Sequence, residues 1–196
     1  MKQRGSLSIG VLVIEMVSIT LAVILGFAVS EWRTSRANED LAESALTAIA
    51  SEVQFNHLQL TRRIAYFEQM VSQVDSLKNV HPDREVTEDE LEGWTGAALP
   101  LVRHGSYDVL ISTGAITFIP FETANELSTM YAVQGFMEQV VLTVMQNFMT
   151  PPEQSLESVL FMFRRMIEIA PPLITLYEEV GETHLAAYGY TAPSVE

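Results

Sequence analysis

Four histidines, His57, His81, His104 and His184, carry the side chains suited to proton transfer or metal binding near neutral pH. A zinc or iron site needs converging ligands, and these four are far apart, with no H-x-H or H-E-x-x-H pair among them. His104 and Asp108 stand four apart, which on a helix makes a surface pair. Asp83, Glu85, Glu88, Asp89, Glu90 and Glu92 form a dense acidic run that could hold Ca²⁺ loosely. It lacks the glycine and ligand spacing of an EF-hand, so it reads as a solvated loop. There is no G-x-S-x-G elbow, P-loop or G-x-G-x-x-G, and Ser112-Thr113-Gly114 reads as a helix end with glycine past the last turn. The chain has no cysteine, which excludes disulfides, thiol catalysis and thiolate metal sites. No catalytic, cofactor or metal residue is assigned.

The element with the clearest physical consequence is the apolar run Leu7 to Val29, interrupted only by the charge of Glu15. Its 23 positions make ~34 Å of helix, enough to cross a hydrocarbon core of ~30 Å. A cleavable signal peptide is the competing reading, given Lys2, Arg4 and Ala28-Val29-Ser30. A signal's apolar stretch is shorter, about 7–15 residues, and carries no acid, so the anchor is preferred. Within the run Ser18, Ala22, Gly26 and Ser30 recur at steps of four, with Glu15 three residues before them. Such a stripe lets a second membrane helix approach closely, and it brings Glu15 onto the same face. Glu15 either reaches the headgroups or pairs with a donor on another protein, and its place on the stripe favours the second. Trp32, Arg33 and Arg36 follow where interfacial residues are expected.

Beyond Ser30 the chain carries 24 acids against 9 Lys and Arg, a formal charge of −15. Such a surface repels nucleic acid and anionic headgroups. The basic pairs Arg62-Arg63 and Arg164-Arg165 are too few to reverse this and read as solvated helix faces. Lys2 and Arg4 against Arg33 and Arg36 weakly favour a cytoplasmic N-terminal tail and an outer domain, periplasmic in a Gram-negative cell.

No proline precedes Pro82 and no glycine lies between Gly26 and Gly93. Helical spacing through Leu41, Ala45, Ile49, Val53, Leu60, Ile64, Phe67, Val71 and Val74, with Asn56 as a gap, predicts a long amphipathic helix. Glu39, Asp40, Glu43, Glu52, Arg62 and Glu68 are assigned to its polar face. Thr87-Glu88-Asp89-Glu90 is a capping box opening a short helix. Further helices are predicted over Ser106–Ala115, Phe121–Met149, from Thr150-Pro151-Pro152-Glu153 to Ile169, and from Leu173 to about Tyr188. Val109-Leu110-Ile111 and Ile116-Thr117-Phe118-Ile119 are strand-like but isolated, and the chain after Gly189 is expected to fray. Phe136, Met137, Met145, Phe148, Met149, Phe161, Met162, Phe163 and Met166 are expected in the core rather than on an adaptable binding surface. Val140 to Met149 is too short and too polar for a second span.

Leu21 to Leu60, with Ser30-Glu31-Trp32-Arg33, Arg36-Ala37-Asn38, Leu41-Ala42-Glu43, Ala45-Leu46 and Glu52, resembles an uncharacterised group of bacterial single-pass membrane proteins. Thr113-Gly114-Ala115, Ile119-Pro120, Leu127 and Tyr131 extend the resemblance to about half the chain. It implies an N-terminal anchor and a helical domain, with no catalytic residue to carry over.

The expected fold is all-α, with the membrane helix continuing or bending into the amphipathic helix and several helices packed on it. The expected order is a basic tail (1–6), the anchor (7–30), the amphipathic helix (31–78), an acidic loop (79–105), a helical domain (106–190) and a tail (191–196). This points to a non-enzymatic, cofactor-free accessory or scaffold subunit in the bacterial inner membrane. Its partners would be the bilayer and other transmembrane proteins or further copies of itself. A ligand-binding or sensory bundle is the alternative.

Overall fold

The computed structural model describes residues 9–82, 84–97, 99–148 and 156–193, and among these the chain is helix, turn and loop without a strand. The all-α expectation holds. Five α-helices are present among the described residues: α1 (Ile9–Val80), α2 (Gly105–Ser112), α3 (Phe121–Phe148), α4 (Leu156–Ile169) and α5 (Pro171–Val180). The two strand-like runs fall in α2 and in a 3₁₀ turn, Ala115–Phe118. Contacts divide the chain into Met1–Leu41 and Ala42–Glu196, and α1 belongs to both.

In the first unit every residue from Ile9 to Ala37 is exposed. Three hydroxyls bond back one turn: Ser18 and Thr20 donate to the Ile14 and Met16 carbonyls at 2.9 Å, and Thr34 donates to the Ser30 carbonyl at 3.0 Å. Hydroxyls that bond back to the helix's own carbonyls suit a hydrocarbon surrounding. This one is long and apolar enough to cross a membrane. Leu7 and the basic residues Lys2 and Arg4 lie outside the described residues.

In the second unit α1 supplies Ile49, Val53, Leu60, Phe67, Met70 and Val74 to a single core. Two assignments on this helix need correction. Leu41 is exposed and Ala42 takes the buried place, while Glu52, assigned to the polar face, is buried. α1 ends at Val80, slightly beyond the expected 78, because the Pro82 ring disfavours helix at the residue before it. The following loop is fastened to α1 by side chains. Gln73 accepts from the Glu92 amide at 2.8 Å and donates to its carbonyl at 3.0 Å, and Tyr66 does the same for Thr95 and Gly96 at 3.0 and 3.1 Å. The Thr87 amide donates to Glu90 Oε2 at 3.1 Å, the glutamate's half of the capping pattern, and the Thr87 hydroxyl lies 3.3 Å from the same oxygen.

The expected helix 106–115 is shorter, ending at Ser112. There Thr113 Oγ1 bonds back to Val109 O at 2.7 Å, and Gly114 turns the chain at φ +73°. The Thr150–Glu153 signature and Met149 lie outside the described residues. α5 begins at Pro171 rather than Leu173, since the two prolines occupy first-turn positions where no N–H donor is needed. It ends at Val180, passing into a π-helical turn (Gly181–Leu185) and a 3₁₀ turn (Ala186–Tyr188) instead of running on as α-helix to Tyr188.

Met137, Met162, Phe163 and Met166 are core residues, and Phe163 stacks on Phe67 with ring centroids 4.1 Å apart. Phe136, Phe161 and Met145 are exposed, contrary to expectation. Phe161 lies instead under the Arg165 guanidinium, 5.2 Å from its ring centre. Arg164 and Lys78 pair with Asp75 and Glu157, both at 2.6 Å, and so join α4 to α1 at the surface.

Candidate functional site

Three helices and a loop bring together polar side chains that the sequence scatters over more than a hundred positions. Asn56, at the gap in the apolar stripe of α1, is fully buried. Its amide grips the backbone of Arg103 from both sides, donating to the carbonyl at 2.7 Å and accepting from the N–H at 2.8 Å. Gln134 of α3 donates to the same carbonyl at 3.1 Å and to Glu138 Oε1 at 2.9 Å. Its own carbonyl accepts from Asn56 at 3.3 Å and from the Tyr177 hydroxyl of α5 at 2.7 Å. One turn before Asn56, Glu52 accepts from the Tyr131 hydroxyl at 2.7 Å and from the Ser106 amide, in the first turn of α2, at 2.8 Å. An orphan N–H of a helix start thus meets a carboxylate, and the helix dipole favours that charge.

Burial holds the Tyr131 phenol far above its ordinary value, and the Glu52 carboxylate adds to the rise. Burial does the same for Tyr177, helped by Glu138. Both hydroxyls therefore stay protonated and donate. Among the described residues no buried side-chain nitrogen or oxygen lacks a partner. The network is saturated with fixed donors and acceptors, so it fastens α1, α2, α3, α5 and the Arg103 segment to one another.

Alongside it lies an open cleft of about 420 Å³ lined by His104, Tyr107, Asp108, Ser128, Tyr131, Gln134, Gly135 and Glu138. His104 Nδ1 is 2.7 Å from Asp108 Oδ2, and this hydrogen bond raises the imidazole pKa. The pair sits on the surface, as its spacing suggests, at the mouth of the cleft.

No family model, curated protein or solved structure matches this chain. Its function is argued from its own geometry.

The residues singled out from sequence lie in the first unit. Glu15, Ser18, Ala22, Gly26 and Ser30 are exposed on α1, and a side chain at Gly26 would meet nothing within 4 Å. Trp32, Arg33 and Arg36 are exposed too, with Arg36 3.6 Å from Glu39. Sequence reasoning missed Glu52, Asn56, Gln134, Tyr131 and Tyr177. The available signal was the stripe itself, since Asn56 sits in register with buried neighbours and Glu52 is one turn away.

Tyr190 and Thr191 are held rather than frayed, and 194–196 of the expected tail lie outside the described residues. Tyr190 is buried, its hydroxyl 2.8 Å from His57 Nδ1, and Gln54 donates to Thr191 Oγ1 at 2.8 Å. Burial lowers the His57 pKa from its ordinary 6.5, against the opposing charges of Glu178 and Glu182, and pushes Tyr190 up to about 12. The unfolded chain takes a proton on His57 near pH 6.5, and the folded chain takes it only at lower pH. The resulting stability is complete above pH 6.5 and is lost as pH falls through the folded value. Urea unfolding of the wild type should show a steeper loss as pH falls below 6.5 than His57→Gln, which has no such proton to bind. Parallel pH slopes for the two proteins would exclude this role for His57.

Proposed function

We propose that this chain is a non-enzymatic, membrane-anchored accessory or scaffold subunit. Its apolar helix lies in the bacterial cytoplasmic membrane and its helical domain lies on the outer side. One observation carries the reading. Between Ile9 and Val29, 14 large apolar side chains are exposed along a single helix. At about 1.5–3 kcal/mol for each, leaving them in water costs on the order of 20–40 kcal/mol, more than the net stability of about 5–15 kcal/mol of a folded domain. Lipid or another protein has to cover them. The stripe Glu15, Ser18, Ala22, Gly26 and Ser30 offers a close-packing face to other transmembrane helices or a second copy. Lys2 and Arg4 favour the tail-in orientation.

The domain's polar chemistry supports a structural role, because its buried groups are spent on one another. The cleft between α2 and α3 favours the second reading, a ligand-binding bundle on an anchor.

Purification from native membranes in mild detergent tests the assembly. The wild type is expected in a stoichiometric particle larger than the monomer. Glu15→Leu should stay with the membrane through an alkaline wash yet elute at lower mass, since only the polar contact is removed. Release of the wild type by the wash, or unchanged co-purification in the variant, would overturn the reading.

A further inference from the structure

We propose that the cleft between α2 and α3 binds a small organic cation, a protonated amine carried on an apolar body. The walls suit the body. Tyr107 and Tyr131 stack at 4.2 Å between ring centroids and 12° between planes, and with Ala132 they form an aromatic and aliphatic side. The rim suits the charge. Asp108 and Glu138 line it, and Glu138 engages Gln134 through Oε1 alone among the described residues. No Lys or Arg lines the cleft. Arg103, next in sequence to His104, has its guanidinium 3.6 Å from the Phe55 ring centre, where it is held by cation–π attraction. Asp108 is answered by His104, so it is the second carboxylate oxygen of Glu138 that is left for an incoming cation, which an aromatic wall also attracts.

Gly135 lines the cleft from the α3 side. It lies inside α3, where glycine is about 1 kcal/mol less favourable than alanine. A Cβ there would meet nothing within 4 Å, so close packing does not demand the glycine. A larger side chain at this position would project into the cleft. The volume of about 420 Å³ falls within the range of small-molecule sites, about 300–1,000 Å³.

Titration calorimetry on the full chain in detergent tests this, with phenethylamine as probe and phenethyl alcohol and 3-phenylpropionate as controls. The amine should bind about tenfold or more tighter than the alcohol, the worth of one charge-assisted hydrogen bond, and the carboxylate should not bind. Glu138→Gln should weaken the amine about tenfold towards the alcohol's affinity. Gly135→Leu should abolish binding of both while circular dichroism reports an intact helical fold. Glu178→Gln with Glu179→Gln, on the exposed side of α5, should change nothing, which separates a site from general attraction to an acidic surface. Equal binding of amine and alcohol, no binding of either, or indifference to both Glu138→Gln and Gly135→Leu would overturn the proposal. None of these outcomes bears on the anchor, which membrane extraction tests separately.

Discussion

Replacing Gly181 with alanine should cost the fold about 2–3 kcal/mol, a large loss for one methyl group. The backbone there is ordinary right-handed helix, at φ −59°, so glycine is not required for its conformational freedom. It is required for space, because an added Cβ would overlap the ring of Tyr190. That ring is rigid, buried and tied to His57, so relief comes only by expelling it. Expulsion forfeits about 2–3 kcal/mol of aromatic burial and about 1 kcal/mol of hydrogen bonding, against about 1 kcal/mol gained from alanine's helix preference. The mechanism is checked in a second background. With Tyr190→Ala already present, Gly181→Ala should become neutral or stabilising, a coupling that urea unfolding of the four proteins would read directly. Equal losses in both backgrounds would mean that the ring is not what the glycine accommodates.

The same corner shows where sequence reasoning stops. Fraying after Gly189 was inferred from position alone. The capture of Tyr190 depends on a bare backbone at Gly181 and on His57, 133 residues upstream. Local signals were read well. The length of the apolar run, the helical spacing along α1, the Thr87–Glu90 box and the glycine ending at Gly114 each act within a few residues. Glu52 was misread for the opposite reason. A carboxylate on the shoulder of an apolar stripe is normally solvated, and burial becomes tolerable only through donors 54 and 79 residues away. The exposed Phe136 and Phe161 fall under the same rule, since a hydrophobic type does not by itself say which face a neighbour will cover.

Removing the Glu52 carboxylate with Glu52→Leu should destabilise the domain by about 3 kcal/mol, because two donors lose their acceptor at once. Tyr131 is buried, and its hydroxyl has no other partner among the described residues. The Ser106 amide is in the first turn of α2, a helix of eight residues with little cooperativity of its own. The loss should therefore be local as well as global, with amide exchange across Gly105–Ser112 accelerating more than elsewhere. Leaving a donor unmatched is costlier than removing a matched pair, so Tyr131→Phe added to Glu52→Leu should restore about 1 kcal/mol or more. Glu52→Gln keeps an acceptor oxygen for one of the two donors and should fall between wild type and Glu52→Leu. If Glu52→Leu proved as stable as wild type, the carboxylate would be free of structural duty. Its place beside the α2–α3 cleft would then be the reason to look for its ligand.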